Sequence, residues 1–171
     1  MVAPDLGEDR LRLRLLSEYD IAGLEQAVRD PEIARWFAYR RSGRELYEKK
    51  MREWHDEKQV PLAILDAGSF VGHIFLELLP DEIALVGYWL LPEGRGHGHA
   101  TRALKLVSSW AFRSLGIARL ELSVTPGNHR SRAVAERAGY VYEGTQRAAG
   151  VHKGQRFDKE TFSLLPADLS D

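Results

Sequence analysis

The feature that most constrains the fold of this chain is the segment EGRGHGHATRAL, from Glu93 to Leu104. It follows an apolar stretch with strand character and leads directly into an amphipathic pattern, so it joins a buried strand to a helix. Glycines at 94, 96 and 98 let successive backbone N–H groups face one side and remove Cβ atoms that would keep a ligand away. Together with the positive end of a helix, this arrangement predicts a phosphate or pyrophosphate site. A tight strand-to-helix turn without a ligand would use the same glycines, and the pattern alone leaves that alternative open.

Composition excludes several classes of protein. The 171 residues, 44% hydrophobic and 29% charged, are typical of one globular domain spanning 1–171. A net charge of −1 gives no overall attraction for nucleic acid or an anionic membrane, so we expect neither as a partner. The first ten residues lack an apolar signal core and no run reaches membrane-spanning length, so we expect a cytoplasmic protein. The absence of cysteine excludes a disulfide, a thiolate zinc site and a cysteine nucleophile.

Hydrophobic periodicity predicts an α/β chain with no internal linker. Strands followed by a helix–strand–helix–strand pattern predict a single mixed sheet with helices packed on it. Helices are predicted at 17–29, at a short segment from 31, and at 44–57, 100–116 and 129–139. Strands are predicted at 10–16, 61–66, 70–79, 83–91, 118–125, 140–146 and 156–165.

Two common phosphate-binding motifs do not fit the glycine segment. A P-loop requires Gly-Lys-Ser/Thr at the start of its helix, where this chain has histidine and alanine. A dinucleotide fingerprint follows the first strand of a parallel unit, whereas this segment comes after several strands.

The sequence instead resembles the GNAT superfamily of N-acetyltransferases. RGHGHA, from Arg95 to Ala100, is similar to the acyl-CoA loop R/Q-x-x-G-x-G/A of that superfamily. VGYWLLPEGRGHGHATRAL and NHRSRAVAERAGYVYEG resemble motifs of its ribosomal-protein N-acetyltransferase branch, the RimJ/RimL-like proteins. The opening LRLRLLSEYD and the closing DKETFSLL are also similar to that branch, so the resemblance covers nearly the whole chain.

The resemblance implies a fold, a cosubstrate and a set of binding residues. It implies a mixed sheet of six or seven strands, splayed into a V, with helices on both faces and acetyl-CoA in the cleft. The backbone of Leu90 and Leu91 would pair with the pantetheine arm, Asn128 would hydrogen-bond it, and Ser131 would lie near the thioester sulfur. The pyrophosphate would be held by backbone N–H groups of Arg95, Gly96, His97, Gly98, His99, Ala100 and Thr101. The histidines would then serve mainly as backbone donors, and no metal is expected.

The chemistry of acetyl transfer to an amine can be argued independently. An α-amino group with a pKa near 8 costs only about 1.4 kcal/mol to deprotonate at pH 7, whereas a lysine near 10.4 costs about 4.6 kcal/mol. Positioning of two substrates and one N–H at the carbonyl oxygen can supply most of the acceleration, and Leu90 is our candidate for that donor. Without cysteine, direct attack on the thioester is favoured over an acyl-enzyme.

Acid and base candidates are less clearly indicated. Many relatives carry a tyrosine where this chain has Ala135, and the ribosomal branch suggests Ser131 as the substitute donor. A glutamate that often serves as base in that branch is replaced by Gly150, which leaves Glu77 and His152 as candidates. Tyr88 is a candidate for orienting the amine. Each side chain also has a structural explanation: Ser131 in a helical first turn, Glu77 and His152 in solvent, and Tyr88 in the core.

Two functions of different class follow. The first is an acetyl-CoA-dependent N-acetyltransferase whose acceptor is a primary amine, either a protein N-terminus, for example of a ribosomal protein, or a small molecule. The second is a non-catalytic acyl-CoA-binding module, suggested by the missing tyrosine and glutamate. Trp36, Phe37 and Tyr39 are candidates for the acceptor pocket, and the sequence leaves open whether the protein is a monomer or a homodimer.

Overall fold

The architecture is an α/β fold built on one mixed sheet of eight strands, in the order β1-β2-β3-β4-β5-β6-β8-β7. The computed structural model describes residues 3–37, 42–152 and 154–169. All neighbouring strands are antiparallel except β5 and β6, which are parallel. The strands are β1 (Asp5–Glu8), β2 (Leu11–Leu15), β3 (Gln59–Asp66), β4 (Ser69–Leu78), β5 (Ile83–Leu90), β6 (Arg119–Val124), β7 (Val141–His152) and β8 (Gln155–Leu164).

Five α-helices cover the two faces of the sheet. They are α1 (Ile21–Arg29), α2 (Pro31–Trp36), α3 (Gly43–His55), α4 (His99–Leu115) and α5 (His129–Arg137). Short 3-10 turns precede α1 at Glu18–Asp20, precede the glycine loop at Pro92–Gly94 and follow β8 at Pro166–Asp168. Among the described residues, no helix combines the length and the apolar character needed to cross a membrane.

The sheet opens between its two parallel strands. β5 pairs with β6 from Ile83↔Arg119 to Val86↔Leu122, and no pair follows although both strands continue. β4 stays paired with β5 up to Leu90, and β8 stays paired with β6 up to Val124. The two halves of the sheet therefore part after Val86 and form the expected V-shaped cleft.

The cores on the two faces are of unequal extent. Under α4 and α5, side chains such as Leu104, Val107 and Ala135 pack against the sheet in one large cluster. On the opposite face, α1, α2 and α3 cover β2 to β4 and the end of β5 with smaller clusters that include Leu24 and Trp89. The face of the cleft beyond β5 is consequently left open on the α1–α3 side.

The fold class is confirmed, with two local differences from the sequence-based expectation. The sheet has eight strands rather than six or seven, because Asp5–Glu8 pairs with Leu11–Leu15 as a short, mostly exposed edge strand. The helix expected from Ser17 begins as a 3-10 turn. The cause is Asp20, which is buried, pairs with Arg14 at 2.7 Å and turns back to accept from the Ser17 N–H at 2.8 Å.

Candidate active site

A cavity of about 1150 Å³ fills the opening between the two halves of the sheet. This is somewhat larger than a usual pocket for one small ligand, so two substrates have room to meet in it. Its walls come from the end of α2, from β4, β5 and β6, from the glycine loop and the start of α4, from α5, and from β8. The cleft thus brings together segments that are far apart in the sequence.

The glycine loop has the backbone geometry of an anion site. Gly96 and Gly98 have φ values of +82° and +76°, and Gly98 is the N-cap of α4. The first donor within that helix is Arg102, whose N–H bonds the Gly98 carbonyl. The N–H groups of His99, Ala100 and Thr101 therefore belong to the helical first turn that has no internal acceptor. With Gly96, His97 and Gly98 they form a row of donors suited to a pyrophosphate.

The three glycines of the loop have different physical roles. A Cβ added to Gly94 would lie 2.8 Å from the Val71 carbonyl oxygen, so Gly94 permits close packing of the loop on β4. A Cβ added to Gly96 or Gly98 would meet no protein atom within 4 Å. Their requirement for glycine is conformational, because both positions hold the left-handed backbone that side chains disfavour.

Arg95 lies in the loop but is committed to other partners. Its N–H bonds the Pro92 carbonyl, so it is the one member of the predicted row that is already paired. Its guanidinium donates to the Leu90 carbonyl at 3.1 Å and to Asp30 at 3.0 Å, and it lies 3.0 Å from Glu32. Arg95 therefore ties the loop to β5 and to α2, and its side chain is not placed to bind phosphate.

The two histidines of the loop stack on each other, with ring centroids 5.6 Å apart. His99 is buried, and its ring nitrogens lie 3.7 Å from an Asp66 oxygen and 3.2 Å from an Arg102 nitrogen. Burial lowers the pKa of His99, although Asp66 opposes the shift. The His99 side chain thus anchors the start of α4. Among the described residues, no group of three or more histidines or acids is placed to hold a metal.

The open edge of β5 offers one backbone donor near the loop. The Leu91 N–H bonds the Val71 carbonyl at 2.9 Å, and the Leu91 side chain is buried in the α1–α2 cluster. Because consecutive residues of a strand alternate, the N–H and C=O of Leu90 face the cleft instead. Arg95 occupies the Leu90 carbonyl, so the Leu90 N–H is the polar group available to a bound thioester.

Asn128, Ser131 and Tyr88 lie together on the other wall. The Asn128 Oδ1 accepts from the Ser131 N–H at 3.2 Å and so caps α5. The Ser131 Oγ lies 3.1 Å from the Tyr88 hydroxyl, which joins α5 to β5 across 43 residues of sequence. All three residues line the cavity. The Tyr88 side chain faces α5, on the opposite side of the sheet from the open acceptor face.

The other predicted acid and base candidates separate. Glu77, on β4, is exposed and lines the cavity, and it has no ion pair within the described part of the chain. His152, at the tip of the β7–β8 hairpin, does not line the cavity, although its Nε2 is buried and lacks a described partner. The geometry therefore places Glu77, and not His152, beside the substrates.

Trp36 and Phe37 line the cavity, while Tyr39 lies outside the described residues. Phe75 also lines it, with its ring lying over Gly87 where any Cβ would be 2.3 Å from it. Phe157 and Lys159 of β8 complete this half of the cleft. Sequence reasoning missed the last three side chains, because only the pairing of β8 with β6 carries the hairpin to the cleft.

Asn128→Ala is expected to lower acetyl-CoA affinity by about 1–3 kcal/mol, since the variant loses the amide N–H that can bond the pantetheine arm. The Asn128 Oδ1 is used by the helix cap, so a stability loss of about 1 kcal/mol accompanies it. Asn128→Asp is the matched control, because it keeps the capping oxygen and removes the N–H donor. Calorimetry with acetyl-CoA and thermal unfolding of the free protein separate the two roles. Full affinity in Asn128→Asp would assign Asn128 to the cap alone.

Comparison with known proteins identifies the family. The family model described as an acetyltransferase (GNAT) domain matches residues 10–141. The Bacillus subtilis (strain 168) protein YdaF, which carries the provisional name of a ribosomal N-acetyltransferase, is 30% identical over 169 residues, covering 92% of each chain. Both matches confirm the family predicted from the sequence motifs.

Solved structures share the fold. RimL, a ribosomal L7/L12 α-N-protein acetyltransferase in complex with coenzyme A, superposes with a TM-score of 0.84 at 21% identity, over 95% of this chain and 98% of its own. Spermidine N-acetyltransferase from Vibrio cholerae, in complex with CoA and spermine, gives 0.82 at 22% identity, over 94% and 98%. At these identities the two structures support the fold and do not distinguish acceptors. The chain belongs to the GNAT family of acetyltransferases and is an acetyl-CoA-dependent N-acetyltransferase.

Proposed function

We propose that this single-domain enzyme transfers the acetyl group of acetyl-CoA directly to the α-amino group at the N-terminus of a peptide or protein. The observation that carries the proposal is the charge of the acceptor side of the cleft. Its acids are Glu32 and Glu77, and Glu32 is already paired with Arg95 and Arg130 at 3.0 and 2.9 Å. Glu77 is then the one acid that a substrate cation can approach among the described lining residues.

A single available carboxylate suits a substrate with one amine. A polyamine carries several positive charges, and each needs a partner when it leaves water. The cleft instead contains Lys159 across from Glu77, and like charges at short range disfavour a polycation. An extended peptide with one terminal ammonium can place it near Glu77 and pass its apolar groups along Trp36, Phe37 and Phe75.

The basicity of the acceptor points to the same class. The hydroxyl of Tyr88 has a pKa raised to about 12, mainly by burial, so at neutral pH it is a donor and not a base. Deprotonation of a lysine costs about 3 kcal/mol more than that of an α-amine, from the difference between 10.4 and 8 in their pKa values. With Glu77 as the acid nearest the acceptor, the less basic amine is the better nucleophile for this cleft.

The residues of the cleft can be given roles in this reaction. The row of N–H groups from Gly96 to Thr101 holds the pyrophosphate, and Asn128 holds the pantetheine arm. The Leu90 N–H polarises the thioester carbonyl and stabilises the oxyanion as the amine attacks. Ser131 donates a hydrogen bond to the departing sulfur. The lack of cysteine fits direct attack, and it fits the reducing interior of the cytoplasm.

A panel of acceptors tests the proposal. Purified protein is given acetyl-CoA with peptides that have a free N-terminus, with the same peptides blocked at the N-terminus but containing lysine, and with spermidine or spermine. We expect thiol release and a single acetyl group, located by mass spectrometry, for the free N-terminus alone. Faster turnover of a polyamine or of blocked peptides would overturn the choice of acceptor. Acetyl-CoA binding with no turnover on any amine would favour an acyl-CoA-binding role instead.

A further inference from the structure

The contact between Tyr88 and Ser131 is the one side-chain hydrogen bond described between the two walls of the cleft at β5 and α5. Both side chains line the cavity, and their oxygens are 3.1 Å apart. Ser131 lies in the first turn of α5, where the Asn128 side chain fixes its backbone. The pair therefore spans the place where the parted strands and α5 surround the end of the pantetheine channel.

The direction of this hydrogen bond follows from burial. Burial raises the pKa of Tyr88 to about 12, and the contact with Ser131 only partly offsets this, so the phenol keeps its proton at all physiological pH values. A buried hydroxyl proton needs an acceptor, and the Ser131 Oγ is the described partner of the Tyr88 hydroxyl. When Tyr88 donates to Ser131, the serine proton is left to point elsewhere, and the cavity is beside it.

We propose that Tyr88 is a positioning residue that orients the Ser131 hydroxyl toward the sulfur of acetyl-CoA, replacing from β5 the tyrosine that α5 lacks at Ala135. The inference rests on the proposed transfer reaction and assigns Tyr88 a role different from orienting the amine. It also explains why a tyrosine in an otherwise apolar strand segment turns its hydroxyl to α5. A hydroxyl that accepts one hydrogen bond is a stronger donor in the next, which is the advantage of the pair over serine alone.

The step balances without a proton leaving either hydroxyl. The amine lone pair forms the N–C bond, the C–S bond breaks with its electron pair on sulfur, and the nitrogen proton goes to water. The thiol of CoA, with a pKa of about 8.5 by analogy with cysteine, is far more acidic than either hydroxyl. The sulfur therefore leaves as a thiolate that accepts the Ser131 hydrogen bond and takes a proton later from solvent.

Tyr88→Phe is expected to lower kcat about threefold to tenfold and to leave the Kd of acetyl-CoA within about twofold, since a lost neutral hydrogen bond is of this size and acts as sulfur gains charge. Ser131→Ala should lower kcat about tenfold to 100-fold. In the Ser131→Ala background, Tyr88→Phe should have no further effect, because Tyr88 acts through Ser131. A structural role would instead give independent losses that multiply.

Tyr140→Phe is the matched control. Tyr140 is also buried, its hydroxyl bonds the Ser108 Oγ at 2.9 Å, and it has no described contact with Ser131. Removing its hydroxyl should lower thermal stability and leave kcat per folded molecule unchanged. The pH profile is a second readout: the loss in Tyr88→Phe should be constant from about pH 6 to 9, because no group of the pair titrates there.

Three results would overturn the inference while leaving the proposed function intact. They are an unchanged kcat in Tyr88→Phe on an acceptor that the wild-type protein acetylates, a multiplicative loss in the double variant, and an equal loss in Tyr140→Phe. Failure of the wild-type protein to acetylate any amine would instead remove the proposed function itself.

Discussion

Gly98→Val is expected to weaken acetyl-CoA binding at least tenfold. Gly98 has a φ of +76°, and a β-branched side chain in that backbone region costs of order 1–3 kcal/mol. The residue is exposed, so the free variant can relax to a negative φ and withdraw the loop N–H groups from their common side. Binding must then restore the strained loop, and each 1.4 kcal/mol of that cost is about tenfold in Kd. Calorimetry with acetyl-CoA measures the change.

Gly116→Val is the matched control for this prediction. Gly116 caps the other end of the same helix with a φ of +67°, also has open space around its Cβ position, and does not line the cavity. We expect a loss of stability with unchanged affinity. His97→Ala should change the Kd less than threefold, because the loop is assigned its backbone donors. An effect of His97→Ala as large as that of Gly98→Val would show that side-chain chemistry holds the ligand.

The parts of the molecule that follow from local physical chemistry could be predicted from the sequence. The N-terminus of α4 is an example, because Gly98 and the apolar stripe after it specify a strand-to-helix turn in a few consecutive residues. Gly116 marks the other end of α4 in the same way. The cosubstrate site is built mainly from this local backbone, so its position could be inferred before its geometry was known.

The parts that depend on distant pairs could not be predicted in this way. Arg95 was placed in the phosphate row, but Asp30 and Glu32, more than sixty residues earlier, hold its side chain. The Tyr88 hydroxyl was assigned to the amine because nothing in the sequence brings it to Ser131. The edge strand Asp5–Glu8 has no alternation of its own and exists because β2 offers it a partner. In each case the deciding contact is made by tertiary structure.

The edge strand β7 shows the same limit in its length. The sequence predicted a strand at 140–146, whereas the structure continues it to His152. The pairing with β8 shifts register twice, between Tyr142 and Gly144 and between Gln146 and Gly150, and Ala148 has a φ of +52°. Such bulges break the period of two on which strand prediction relies. They also bend the hairpin that carries Phe157 and Lys159 to the cleft.

Arg95→Met is expected to lower the free energy of unfolding by about 3 kcal/mol, because it leaves a buried carboxylate without its charged partner. The Asp30 side chain is 8% exposed and would keep only the hydrogen bond from the Ile33 N–H at 2.8 Å. Methionine retains an apolar stem of similar length, so the loss reports the guanidinium and not an empty volume. Chemical unfolding at neutral pH measures the difference.

The pH dependence of this loss has a defined sign. Burial alone raises the pKa of Asp30, but the hydrogen bond from Ile33 and the contacts with Arg95 outweigh it, and the net pKa in the folded protein is lowered. A lowered pKa contributes stability above the unfolded value of about 4, and that stability is lost as the pH falls through the folded pKa. In Arg95→Met the pKa of Asp30 rises. The deficit relative to wild type should therefore be largest near pH 7 and shrink below about pH 4.

Arg130→Met provides the comparison for Arg95→Met. Arg130 also pairs with Glu32, but its side chain is 80% exposed, so its loss should cost less than about 1 kcal/mol and show little dependence on pH. Arg95 additionally connects the cofactor loop to α2, which ends at Trp36 in the acceptor half of the cleft. Arg95→Met should therefore raise the KM for the peptide acceptor more than the Kd of acetyl-CoA. Equal stability of the two variants at pH 7 would contradict the buried pair, and an unchanged acceptor KM would show that α2 is positioned without Arg95.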